Sequence, residues 1–322
     1  MNRPPLTTAS PVIAPPKPNS APFIRKGFPD LATLKARANA PQNKPGESWP
    51  SLILNAQTQE THRPDIRGPF SLFMNRQGQS HCTIEGYEIL VPEDTFLISN
   101  AGQYYSLEIE SKTPVETFNV HLGNALLEQI QASLCLAPDT LLQDPLAQAK
   151  QLFVFPNRLN PKDAFVCQWI EKTRLHGDPT QLEADLQDLM VYLLLGQKQI
   201  QAEIRRLPAL KQGTRQELYL RLNRARDCLY AQPLYAFSLE ELAQIACLSK
   251  YHFLRMFRAA YGCTPHQFQL LLRIEKARSL LAKTQLSVQA IANLLCFDEP
   301  ASFSRLFRKK VGVYPSQYRN LL

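Results

Sequence analysis

The sequence predicts an α+β chain of more than one domain: a strand-rich N-terminal region followed by helices, then an all-helical C-terminal third. Three observations carry this. Short apolar runs separated by turn residues fill residues 52–122. Helix-period patterns with cap signals fill most of the remainder. From Ser238 to Tyr318 the chain says nearly the same thing twice. A length of 322 residues is enough for two separate cores.

Residues 1–22 are rich in Pro, Ser, Thr and Ala, which cannot form a packed core. Together with the loose stretch ending at Pro50 they predict a largely disordered arm over 1–50. Within it, Asp30 is placed to cap a short helix over 30–39, which Pro41 stops. The runs SLIL, PFSLFM, HCTI, YEILV, TFLI, YYSLEIE and VETFNVHL read as strands, punctuated by Gly78, Gly86, Pro92, Gly102 and Pro114. Many short strands at this spacing suggest an antiparallel barrel or sandwich. Helices are expected over 124–134, 163–175 and 181–207. In the last, Leu182, Leu186, Leu189, Leu193, Ile200 and Leu207 fall on alternating four- and three-residue steps, with Gly196 and Glu203 occupying two of them. That heptad-like seam either packs on its own domain or meets a helix of a second subunit. The expected homodimer would use it. Pro208 ends the helix, and 208–213 is a linker.

Residues 214–322 read as all helix. Thr214-x-x-Glu217 and Ser238-x-x-Glu241 are capping-box sequences, and Thr264-Pro265 and Tyr314-Pro315 open further helices. Ser238, Leu242, Ala243 and Cys247 recur 49 residues on as Ser287, Ile291, Ala292 and Cys296. Arg255, Phe257, Arg258, Gly262, Pro265 and Phe268 recur 50 residues on as Arg305, Phe307, Arg308, Gly312, Pro315 and Tyr318. Each copy is a short helix, a tight turn and a basic helix. This third carries 16 Lys and Arg against 7 Asp and Glu, whereas residues 1–213 carry 20 against 21. The net charge of +8 is therefore concentrated here, and it points to a polyanion partner for this third alone.

The two basic helices have matching wheels. Phe253, Met256, Phe257 and Ala260 fall on one face of the first, and Phe303, Leu306, Phe307 and Val311 on one face of the second. The opposite faces carry Tyr251, Leu254, Arg255 and Arg258, and Ala301, Ser304, Arg305 and Arg308. Lys250 flanks the first set, and Lys309 and Lys310 flank the second. One such face would be an ordinary solvated surface. Two, at the same register behind the same capped helix, point to reading of DNA: the arginine fork matches guanine O6 and N7, and lysines suit phosphates.

Residues 298–319, DEPASFSRLFRKKVGVYPSQYR, closely resemble the signature of the AraC/XylS transcriptional regulators, and all of 214–322 is similar to that family's DNA-binding domain. The resemblance implies two helix-turn-helix units joined by a long helix. It implies reading helices over 249–261 and 299–311, with Pro300 at the start of the second. One departure stands out: Cys296 precedes Phe297 where the family usually has Gly, so the second turn is expected to be strained or differently shaped. The strand-rich run is similar, more weakly, to the cupin-like sensor domain of many members. This implies a cupin-like antiparallel barrel over 51–207 that binds a small-molecule effector and dimerises. A regulator controlled instead by a protein partner is the alternative. Double-stranded DNA is the expected partner, RNA polymerase a candidate one, and the cytoplasm the expected compartment.

Catalysis is not expected. His62, His81 and His121 show no His-x-His or cupin-type ligand spacing, so neither a metal nor another cofactor is anticipated. There is no Gly-rich phosphate loop and no nucleophile elbow. The seven cysteines are scattered and odd in number, which reads as reduced thiols. No secretory leader and no apolar run long enough to span a bilayer are seen. Trp169, Tyr104 and Tyr105 are either core or pocket residues.

Overall fold

The computed structural model describes residues 22–32, 49, 51–135, 154–175, 178–208 and 211–321. Most of the expected arm and of the expected helix over 30–39 lies outside them. Eight strands form one sheet: β1 (Phe23–Lys26), β2 (Leu52–Arg67), β3 (Phe70–Gln77), β4 (Ser80–Ile84), β5 (Tyr87–Val91), β6 (Thr95–Ser99), β7 (Tyr104–Leu122) and β8 (Leu159–Pro161). The path runs β1-β2-β7-β3-β6-β8, with β4 joining β5 to β7.

Strand β7 is the spine. Its first half pairs with β4, its second half with β3, and both halves with β2. The sequence reading split this strand at Pro114, but the chain stays extended through it. Proline needs only an irregularity in the ladder, and one is present: pairing with β2 jumps from Glu60–Glu110 to Thr58–Val115. A second shift falls between Arg63 and Ile66, where Asp65 has a φ of 49°. These bulges bend the two long strands and curl the sheet. The β4–β5 hairpin turns through Glu85 and Gly86, both at positive φ, as a two-residue connection requires.

Two expectations need correction. Strand β1 runs parallel to β2, Phe23 opposite Leu52, so part of the expected arm is sheet and the sheet is not wholly antiparallel. The intervening 27–51 is long enough for the crossover a parallel pair needs. Among the described residues the end strands β1 and β8 do not pair with each other, so hydrogen bonds do not close a barrel.

Period-2 alternation sorts the side chains onto two faces. Leu72, Met74, Phe96, Ile98, Phe118 and Val120 join one core with three helices, α1 (Asn124–Cys135), α2 (Ala164–Leu175) and α3 (Pro179–Arg205). Phe73, Leu97, Tyr105 and Leu107 point the other way, into a second core with Ile66, Cys82 and Ile89. Asp178 caps α3 by accepting from Thr180 N at 3.3 Å, and Pro179 occupies the first turn.

The seam of α3 is filled by this same chain. Leu182, Leu186, Leu189 and Leu193 are buried in the helix-covered core, and Ile200 and Leu207 in the core of the next unit. The seam is therefore unavailable to a second subunit, because a heptad pattern records that a face is buried but not what buries it. Glu203, the charged seam position, is buried against Arg158 at 3.0 Å.

The C-terminal helices are α4 (Gln212–Ala231), α5 (Leu239–Ile245), α6 (Lys250–Tyr261), α7 (Pro265–Lys283), α8 (Val288–Leu294), α9 (Pro300–Val311) and α10 (Pro315–Asn320). Thr214 does not cap α4, which begins at Gln212 with no side-chain cap; residues 212–214 are exposed, so water satisfies the orphan donors. The other caps form as the sequence suggests. Ser238 and Glu241 exchange bonds of 3.1 and 2.7 Å, Thr264 caps α7 above Pro265, and Ser287 accepts from Ala290 N at 3.0 Å.

Each half of this region has its own core. Leu242, Ala243, Phe253, Met256 and Phe257 form one, and Ile291, Ala292, Phe303 and Phe307 the other. Helix α7 serves both, giving Phe268 and Leu272 to the first and Ile274, Ala277 and Leu281 to the second. The first core also takes Ile200 and Leu207, which precede the expected linker at 208–213. A fragment of residues 211–322 is therefore expected to be less stable than one of 197–322. Losing two buried side chains is worth about 1.5–3 kcal/mol each. Urea denaturation of both fragments checks this; equal midpoints would contradict it.

Candidate functional site

The two basic helices meet their cores as the wheels require. Phe253, Met256, Phe257 and Ala260 of α6 are buried, as are Phe303 and Phe307 of α9, while Leu306 and Val311 are half-buried. Both helices end at a glycine in the left-handed region, Gly262 at φ 75° and Gly312 at φ 94°. The turns entering them match as well. Cys247 and Cys296 sit at φ 50° and 56°, and the next residue's amide donates back, Leu248 to Ala243 O and Phe297 to Ala292 O at 2.9 and 3.0 Å. Cysteine at 296 therefore keeps the left-handed turn, at a cost of about 1–2 kcal/mol for an L-residue.

The outer faces are open. Tyr251 is 83 % exposed, Arg255, Arg258, Ala301, Arg305, Arg308, Lys309 and Lys310 are exposed, and Leu254, Pro300 and Ser304 are half-buried. Their partners differ. Arg308 donates to the Tyr314 hydroxyl at 2.8 Å and lies over its ring, and Arg305 donates to Ser302 Oγ at 3.2 Å. Lys250 pairs with Glu240. Holding Arg308 against Tyr314 leaves Arg305 as the less constrained fork of the second helix. The sequence reading did not separate these two.

A second constellation joins the sheet domain to the helical one, and sequence reasoning missed it. Arg226 Nη2 donates to Leu159 O at 3.0 Å, and Asp227 Oδ1 accepts from Leu159 N at 3.1 Å. Helix α4 thus satisfies the outward backbone groups of the edge strand β8. Arg158, next to Leu159, binds Glu203 of α3 and the Tyr219 hydroxyl of α4, and Tyr219 donates to Glu203 at 2.5 Å. Burial pushes the Asp227 carboxyl up to about 7, against the pull of Arg226 and Arg158. The clue in the sequence was Glu203, a charge on an apolar seam.

Against its inner face the sheet holds a cleft of about 30 Å³ lined by Phe28, Pro29, Trp49, Leu54, Phe73 and Tyr105, with Arg63, Asn119 and His121 as polar members. Tyr105 is thus a pocket residue, whereas Trp169 lies in the helix-covered core and Tyr104 is half exposed. His62 and His81 are surface partners of Glu108 and Glu88, far from the buried His121 in character. His121 Nδ1 meets Ser71 Oγ at 2.9 Å, and burial drops its pKa to about 4.

A depressed histidine pKa stabilises the fold fully above the unfolded value of 6.5, and the contribution is lost as pH falls toward 4. The loss is about 3 kcal/mol. Asp227, whose raised pKa favours the fold as pH falls from about 7, acts oppositely across this whole range, so wild type must be compared with His121→Asn. Acidification from pH 7 to 4 is expected to lower the wild-type melting temperature more than that of the variant. Parallel pH profiles would contradict it.

With the geometry in hand, comparison with known proteins is informative. Residues 242–321 match the model of a helix-turn-helix domain. The chain is 43% identical over 81 residues to the MmsAB operon regulatory protein of Pseudomonas aeruginosa, covering 25% of this chain and 26% of that protein. It is 35% identical over 99 residues to an uncharacterized HTH-type transcriptional regulator of Haemophilus influenzae, covering 31% and 33%. Among solved structures, the DNA-binding domain of the global transcriptional factor AdpA, in complex with a target DNA, is 29% identical, with a TM-score of 0.29 over 31% of this chain and 90% of that one. The chain spans between about a quarter and a third of the length of the curated relatives it matches.

Proposed function

We propose that this protein is a sequence-specific transcriptional regulator of the AraC/XylS kind, without catalysis, acting in the cytoplasm. The observation that carries this reading is the pair of open arginine faces, Arg255 on α6 and Arg305 on α9, at matching register over separate cores. Helix α7 belongs to both cores, so the two reading helices move as one body. They enter successive major-groove segments on one face of the duplex, about 34 Å apart. Arg255 and Arg305 contact base edges with Tyr251, Leu254, Pro300, Ala301 and Ser304 beside them. Arg258, Arg308, Lys250, Lys309 and Lys310 serve the phosphates. Selection of bound duplexes from a random pool tests this. Two conserved blocks centred about 10 base pairs apart are expected, and a single block would contradict it.

The sheet domain senses a small-molecule effector. Support comes from the three buried polar side chains that border the cavity. A homodimer would use the outer face of α3, where Val191 and Leu195 are 39 % and 59 % exposed, since the seam itself is consumed within the chain. The rival reading, a sensor for a protein partner, draws on the small size of the cavity. RNA polymerase remains a candidate partner of the DNA-bound form.

A further inference from the structure

We infer that the cavity beneath Phe28 and Pro29 recognises a small monocarboxylate, bound through the Arg63 guanidinium with Asn119 as a second donor. This rests on the small-molecule reading above and names the chemistry of its ligand. Arg63 is 7 % exposed. Burial pulls its pKa down, outweighing the attraction of Tyr105 and Asp30. Its Nη2 donates to the Pro29 carbonyl, its Nε has no partner, and its guanidinium lies 4.9 Å from the Phe28 ring centroid.

Those two nitrogens lie along one edge of the guanidinium. A carbonyl offers one oxygen and covers one of them. A carboxylate offers two oxygens at the matching spacing and covers both. The Pro29 carbonyl therefore occupies half of a bidentate site. The remaining polar atoms agree. Asn119 Oδ1 accepts from Met74 N at 3.1 Å, which fixes the amide and leaves its buried Nδ2 without a partner. The Ser71 hydroxyl donates to Pro69 O at 2.9 Å, so His121 must donate from Nδ1 to Ser71 Oγ. Neutral and committed in that way, His121 presents only an acceptor from its other nitrogen, and it adds no charge. One cation and one orphan amide donor match a single negative charge better than a phosphate dianion, which needs more donors.

A buried guanidinium with an unpartnered Nε and an orphan amide donor weigh against folding. A ligand that completes both explains why this position is not apolar. The existing void holds little more than one water molecule, so the ligand takes the place of the Phe28–Pro29 segment. That segment follows the four-residue strand β1 through Gly27, whose φ is 85°.

The test uses the full chain and a panel of monocarboxylates, from acetate and lactate to benzoate, phenylacetate and octanoate, each beside its uncharged amide. Thermal melting and titration calorimetry are read. At least one acid is expected to raise the melting temperature while its amide does not. Arg63→Met should raise the melting temperature of the unliganded protein by about 2–4 °C, as removal of a buried charge whose desolvation outweighs its attractions does, and abolish the effect of that acid. Arg63→Lys should keep the charge, lose the fork and weaken binding at least tenfold. If Arg63 only anchors Pro29, Arg63→Met instead lowers the unliganded melting temperature and leaves acid binding intact, which overturns the proposal. Amides that bind as well as their acids overturn the carboxylate and leave the small-molecule reading standing. A panel in which neither acids nor amides bind overturns both.

Discussion

Leu186→Glu unfolds the sheet domain instead of dividing a dimer. Leu186 is fully buried, in a core shared by the sheet and the three helices that cover it. A carboxylate there has no partner and no water, and the expected cost exceeds about 4 kcal/mol. Circular dichroism should show loss of the cooperative strand signal, with the second helix-turn-helix core retained. Leu195→Glu, on the exposed side of the same helix, should leave melting unchanged and shift sedimentation toward monomer if the outer face pairs. A folded, monomeric Leu186→Glu protein would contradict the packing described.

Phe257→Ala is the second large effect. Phe257 has no exposed surface and its ring meets Phe253 at 5.5 Å, Tyr261 at 4.6 Å and Phe268 at 5.8 Å between centroids. Truncation empties the floor beneath α6 and should cost about 3–5 kcal/mol. Phe307→Ala should cost a similar amount, because Phe307 fills the same place against Phe303 and Tyr318. The cores are separate, so hydrogen exchange should accelerate mainly in the unit that carries the change. Uniform acceleration across both units would mean that α7 couples them more tightly than its packing implies.

The helical third was largely legible because local signals agree there. The 50-residue repeat set the phase of both basic helices, and Ser238, Thr264 and Ser287 marked their neighbours' starts. The strand region was legible in type but not in extent. The middle of β2, QTQETHR, is polar because that stretch is mostly exposed, so no alternation announced it. Continuation through Pro114 depends on a bulge, which is set by the partner strand. The seam of α3 was visible, yet its covering came from residues more than 50 positions away in the sheet and from α4. Arg63 looked like any strand arginine, since its burial depends on Phe28 and Pro29 folding over it. The open arginine faces were legible for the opposite reason: nothing distant covers them.

The central claim is that Arg255 reads a base, and not the backbone. The decisive measurement is the affinity of Arg255→Ala for the selected duplex, for each of its single-base variants and for random DNA. The account predicts a loss of about 1–3 kcal/mol on the selected duplex, little loss on random DNA, and relaxed preference at one position. Arg305→Ala should relax a different position about one helical turn away. Lys309→Ala supplies the reference for a phosphate contact, with uniform weakening and a shallower salt dependence. If Arg255→Ala behaves like Lys309→Ala, losing the same affinity on every sequence, then Arg255 anchors the backbone and the reading face is assigned wrongly.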